Sequence, residues 1–173
     1  FSKIQEFKKK SNAVWSELIS IFSKSVLLDS ISSVFSSKRF IVLETVYDEF
    51  LAKFKTQVES LKVWDPMDTT TNIGPLAKKS AVDSIEKQVL ETLSAWAELI
   101  TGWERIAWAG AFYKPTILAW VKSWMKTFEE ETFGPVASVI KASDIYEAVK
   151  LANDSVYGLW ASIFTDDETE LNY

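Results

Sequence analysis

The feature that most constrains this chain is an alternation of periods from residue 38 onward. Short apolar runs with strand character are followed by longer segments whose apolar residues recur at helical spacing. Residues 39–43 form a β-branched and aromatic run that reads as a buried strand. Tyr47, Phe50, Leu51, Phe54, Val58 and Leu61 then repeat at the helical period, which predicts a helix of about four turns with its aromatic set in the core. Residues 65–75, with Asp65, Pro66, Asn72, Gly74 and Pro75, carry turn chemistry. A second helix is expected to bury Val82, Ile85, Val89 and Leu93 on one face. Further strands are expected at residues 98–101, 116–118, 136–140 and 161–164, with a loop from Gly102 to Gly110. Ser143 is placed to cap a helix that carries Ile145, Ala148, Val149 and Ala152. Strands alternating with helices of this length build βαβ units. The expected class is therefore α/β, a mainly parallel sheet with flanking helices, and no internal repeat interrupts it.

Composition narrows the chemistry. The 173 residues suffice for one domain with a sizeable core. The absence of cysteine and histidine removes disulfides, thiolate metal sites, the usual imidazole ligands and every Ser-His or Cys-His nucleophile. Chemistry within the chain must rest on carboxylates, lysines or hydroxyls. A net charge of −5 disfavours nucleic acid or an anionic membrane as partner, and no apolar run approaches the length of a membrane span. Asp65 with Asp68, and Asp166, Asp167 and Glu168, read as solvated turns, because neither set has calcium-ligand spacing with its glycine. Residues 1–37 stand apart: ten of the 27 residues from position 11 to position 37 are serine, while the spacing of Val14, Leu18, Ile21 and Phe22 permits a helix. The organisation expected is an atypical serine-rich segment over 1–37 and a main unit over 38–173. A chain that opens on Phe1 is expected to have been cut from something longer.

Seven stretches, in order, carry a likeness to a known family: residues 38–42 (KRFIV), 46–50 (VYDEF), 62–68 (KVWDPMD), 73–76 (IGPL), 112–116 (FYKPT), 130–136 (EETFGPV), and 151–154 (LAND) with 157–159 (YGL). Together they resemble the catalytic domain of aldehyde dehydrogenases. Residues 74–77, 88–89, 110–113 and 133–139 look like the bacterial succinate-semialdehyde dehydrogenases within that superfamily. The resemblance implies a partial catalytic domain from a cytoplasmic, homo-oligomeric enzyme. Such an enzyme oxidises a small-molecule aldehyde to its carboxylic acid with NAD or NADP.

The family's chemistry needs a cysteine thiolate to form a thiohemiacetal, a nicotinamide to take the hydride, and a glutamate to activate water. Counted back from Lys38 and Arg39, the cysteine position falls on Val34, which has no nucleophile. Ser32 and Ile31 stand where the family has Gln and Gly, and residues 1–37 contain no counterpart of its general-base motif. The glycine-rich dinucleotide turn is absent as well. Glu131 and Phe133 match the family's Glu-x-Phe-Gly-Pro motif, which implies that the carboxylate binds the nicotinamide ribose and the ring packs nearby. A carboxylate suits vicinal hydroxyls because it accepts two hydrogen bonds at once. Read without the resemblance, Glu129, Glu130 and Glu131 are a solvated acidic turn. The chain as written is expected to be inactive by itself. The alternative is a catalytically dead domain kept as a binding or assembly module.

The chain has eight tryptophans and five glycines. Trp64, Trp96, Trp103 and Trp160 stand where the family pattern has glycine, and Trp108, Trp120 and Trp124 fall in expected loops or strand ends. Glycine at such places serves positive φ or close backbone approach, which tryptophan does badly. A decayed gene or a tryptophan-rich surface is one reading. The other is that UGA codons, glycine in some bacterial codes, are written here as tryptophan, with a frameshift behind residues 1–37. Trp64 and Trp103 are expected to be exposed, whereas Trp160 should protrude or crowd the sheet.

Overall fold

In the computed structural model, residues 38–107 and 110–157 are described. Val34, Trp108, Trp160 and the strand expected at residues 161–164 lie outside them. The strands are β1 (Arg39–Leu43), β2 (Glu98–Thr101), β3 (Thr116–Ala119) and β4 (Val136–Ala142). The helices are α1 (Tyr47–Glu59), α2 (Lys79–Ser94), α3 (Lys126–Glu129) and α4 (Ile145–Asn153). The sheet order is β1-β4-β3-β2. β4 runs parallel to both β1 and β3, and β2 joins the edge of β3 antiparallel.

Side-chain alternation along the strands divides the core between the two faces of this sheet. Phe40, Val42, Ile117, Ala137 and Val139 pack with Tyr47, Phe50, Phe54 and Val58 of α1. Leu118, Val136 and Ile140 pack with Val82, Ile85 and Val89 of α2, and with Met125 and Phe128. The result is three layers, helix on sheet on helix, as the sequence period implies. The face of α2 differs at one place: Thr92 is buried and Leu93 only partly so. A threonine is tolerated there because its hydroxyl donates to the Gln88 carbonyl (2.8 Å) and accepts from the Thr127 amide (3.1 Å).

One helix is unexpected, and one local expectation needs correction. α3 is a single turn, and four residues carry no readable period. The cap of α4 is Asp144, not Ser143: Asp144 Oδ1 accepts from the Glu147 amide (2.8 Å). The Glu147 carboxylate reaches back to the amide and hydroxyl of Ser143 (2.7 and 2.6 Å). Two adjacent candidates with equivalent side-chain acceptors cannot be separated by pattern alone.

The tryptophans fall into a geometric class. Among the described residues, the non-glycine positions with positive φ are Trp96 (76°), Trp103 (58°) and Trp120 (56°). Left-handed backbone costs an L-residue roughly 1–2 kcal/mol and is routine only for glycine. Trp96 follows the last residue of α2 and its cap. Its amide donates to the Leu93 carbonyl and the Ala97 amide to that of Thr92 (3.0 and 3.3 Å). This is the paired closure in which glycine normally takes the left-handed place. Trp103 follows Gly102, where an added Cβ would lie 2.1 Å from the Pro115 oxygen. Trp64 and Trp103 are exposed, as expected, and Trp96 is 91% exposed.

Candidate functional site

Glu131 and Phe133 sit in the connection from α3 to β4. Two tight turns shape it: the Gly134 amide donates to the Thr132 carbonyl (3.2 Å), and the Val136 amide to that of Gly134 (2.8 Å). Burial alternates through the segment. Glu131 and Phe133 face solvent, while Thr132, Gly134 and Pro135 are buried. Phe133 leaves 60% of its surface exposed, a large apolar ring beside a carboxylate. The Thr132 hydroxyl, between them on the inner side, has no hydrogen-bond partner among the described residues.

The backbone of this segment is held from several elements. Gln88 Nε2, on α2, donates to the Glu131 carbonyl (3.2 Å) and to Glu130 Oε2 (3.1 Å). Lys38 Nζ, just before β1, donates to the Gly134 carbonyl (2.9 Å). The Thr116 amide on β3 donates to the Pro135 carbonyl (2.8 Å). Gly134 also lies hard against α2, where an added Cβ would stand 2.0 Å from Ile85 Cδ1.

The three consecutive acids are not equivalent. Lys126 pairs with Glu130 (3.0 Å) and more loosely with Glu129 (3.9 Å). The Gln88 hydrogen bond, and after it the Lys126 ammonium, hold the Glu130 carboxyl below its ordinary value. Among the described residues no cation pairs with the Glu131 carboxylate. Burial without a carboxylate partner pushes the Lys38 ammonium down to about 8. The segment thus offers an uncommitted pair of acceptor oxygens and an open aromatic face, both on anchored backbone. Among the described residues no group of His, Cys, Asp and Glu is placed to hold a metal, and no helix is long and apolar enough to cross a membrane.

The structure brings Glu131 and Phe133 to one exposed segment. Sequence reasoning missed its anchors. Lys38 and Gln88 both fall in stretches that carry the resemblance, but their hydrogen-bond partners lie 96 and 43 residues away. No local spacing reveals pairs that distant.

The aldehyde dehydrogenase family matches residues 23–173. A succinate-semialdehyde dehydrogenase [NADP(+)] of Mycobacterium avium is 43% identical over 138 residues, 80% of this chain and 29% of the relative. A succinate semialdehyde dehydrogenase [NAD(P)+] of Escherichia coli is 44% identical over 78% of the chain and 29% of its own length. This chain therefore spans about 29% of the length of these curated relatives. Among solved structures, succinic semialdehyde dehydrogenase from Streptococcus pyogenes in complex with NADP+ matches with a TM-score of 0.88 and 33% identity. That match covers 98% of this chain and 37% of that one.

Proposed function

We propose that this chain, which belongs to the aldehyde dehydrogenase family, is part of an NAD(P)-dependent enzyme that oxidises succinate semialdehyde to its carboxylic acid. In this reading the segment from Glu131 to Gly134 receives the nicotinamide ribose. The substrate and cofactor classes rest on the named activities of the relatives. The observation that supports the placement is the pairing of an uncommitted Glu131 carboxylate with the exposed Phe133 ring on anchored backbone. An ionised carboxylate accepts from both hydroxyls of a ribose diol in charge-assisted bonds, and an aromatic face covers a flat ring. The residues present therefore fit that half of a dinucleotide. A nicotinamide, when bound, supplies the hydride acceptor. This chain's residues supply orientation: the Glu131 oxygens hold the ribose and Phe133 limits the ring's tilt.

Saturation-transfer NMR with NADP+ tests the placement. Weak binding on the order of millimolar is expected, with saturation reaching the ribose protons of the nicotinamide half and lost in E131A. Transfer to the adenine half alone, or equal transfer in E131A, overturns the assignment. A second reading, a catalytically dead module kept for binding or assembly, is favoured by Val34 at the position the family gives to its nucleophile. A cysteine at that position in the uninterrupted gene would exclude it.

A further inference from the structure

We propose that Lys38 is a positioning residue for the segment carrying Glu131 and Phe133: its ammonium grips the Gly134 carbonyl and so sets where the carboxylate and the ring stand. The proposal rests on the reading above for its functional meaning, but its geometry stands by itself. Lys38 is fixed at its backbone, because its carbonyl accepts from the Ser138 amide of β4 (2.9 Å). From there its side chain reaches the Gly134 oxygen at 2.9 Å, an oxygen that already accepts from the Val136 amide. Among the described residues no carboxylate pairs with this ammonium.

A partly buried ammonium without a counter-ion is costly and persists only where its donors are used. The neutral carbonyl it meets is therefore the centre of its interactions, not an incidental contact. A bond from a charged donor is about twice as strong as one between neutral groups. The ordinary pKa of the amine is lowered by the same burial. Gln88 holds the Glu131 carbonyl at the upstream end of the segment, and Lys38 holds Gly134 at the downstream end. Phe133 lies between the two grips, so loosening either lets its ring and the Glu131 carboxylate swing together. Ile85 packs against Gly134 from α2, where an added Cβ would lie 2.0 Å from its Cδ1, so the segment is also held close on that side.

The test is amide hydrogen exchange and two-dimensional NMR on the full chain, comparing wild type with K38M and K38R, each then titrated with NADP+. In K38M the amides of Gly134 and Val136 should exchange about tenfold faster while those of β3 and α1 stay within about twofold, because only local opening is affected. K38R keeps a charged donor and should restore the wild-type exchange pattern and the Phe133 amide shift. NADP+ should bind K38M about fivefold more weakly than wild type, with recovery in K38R. Unchanged exchange over 132–136 in K38M overturns the proposal. So does equal acceleration throughout the sheet, which would make Lys38 a general stabiliser. If K38M loosens the segment but NADP+ shifts no resonance in any form, the grip of Lys38 stands and the ribose-site reading falls.

Discussion

At position 96 a tryptophan occupies the left-handed residue that closes α2, with its ring almost wholly in solvent. Two effects decide what glycine would do there. Left-handed strain of roughly 1–2 kcal/mol is relieved, while the freer unfolded chain costs about 0.5–1 kcal/mol. So little of the ring is buried that almost no hydrophobic contact is lost. W96G should therefore raise stability by about 0.5–1 kcal/mol, read as a higher melting temperature, and a lower one would show that left-handed strain does not decide this site. Trp120 offers a contrast. Its ring lies 5.2 Å from that of Tyr47 and 5.1 Å from the Lys141 ammonium, contacts that glycine would lose. W120G should gain less than W96G. The three left-handed tryptophans support the reading of misread UGA codons at 96, 103 and 120. The nucleotides decide it: UGG at these codons ends the idea.

Among the elements, α4 shows how a helix start is written in side chains. Asp144 caps the Glu147 amide, and D144A should cost about 1 kcal/mol. The Ser143 hydroxyl, and next its amide, hold the Glu147 carboxyl below its ordinary value. A depressed carboxylate contributes stability that is fully present above its unfolded pKa and is lost as pH falls through the lower folded one. Melts of wild type should accordingly fall faster below about pH 4.3 than those of E147Q, and parallel curves would refute the role. The segment before β4 gives a packing test. G134A drives a methyl into Ile85 Cδ1 and should cost about 1–3 kcal/mol. I85V removes that atom, so the double variant should be less destabilised than the two single losses added, a coupling that exists only if the contact does.

For the whole molecule, the core lies on both faces of one sheet, with α1 packed on one face and α2 on the other. Purified chain given NADP+ and succinate semialdehyde should accumulate no reduced cofactor above a blank, because Val34 offers no thiolate; accumulation would overturn the inactivity proposed for it. What the sequence by itself determined is local and periodic. The strand at Arg39–Leu43, the aromatic stripe of α1, the apolar face of α2 and the α/β class follow from spacing, since spacing dictates which side chains share a face. The Glu-x-Phe-Gly-Pro motif marked Glu131 and Phe133 through resemblance, not through period. Tertiary structure alone decided the sheet order, the antiparallel edge of β2, and the capture of carbonyls by Lys38 and Gln88. It alone put three tryptophans in left-handed backbone. Those features join residues far apart in the chain or fix a single dihedral, and neither leaves a periodic trace in the order of amino acids.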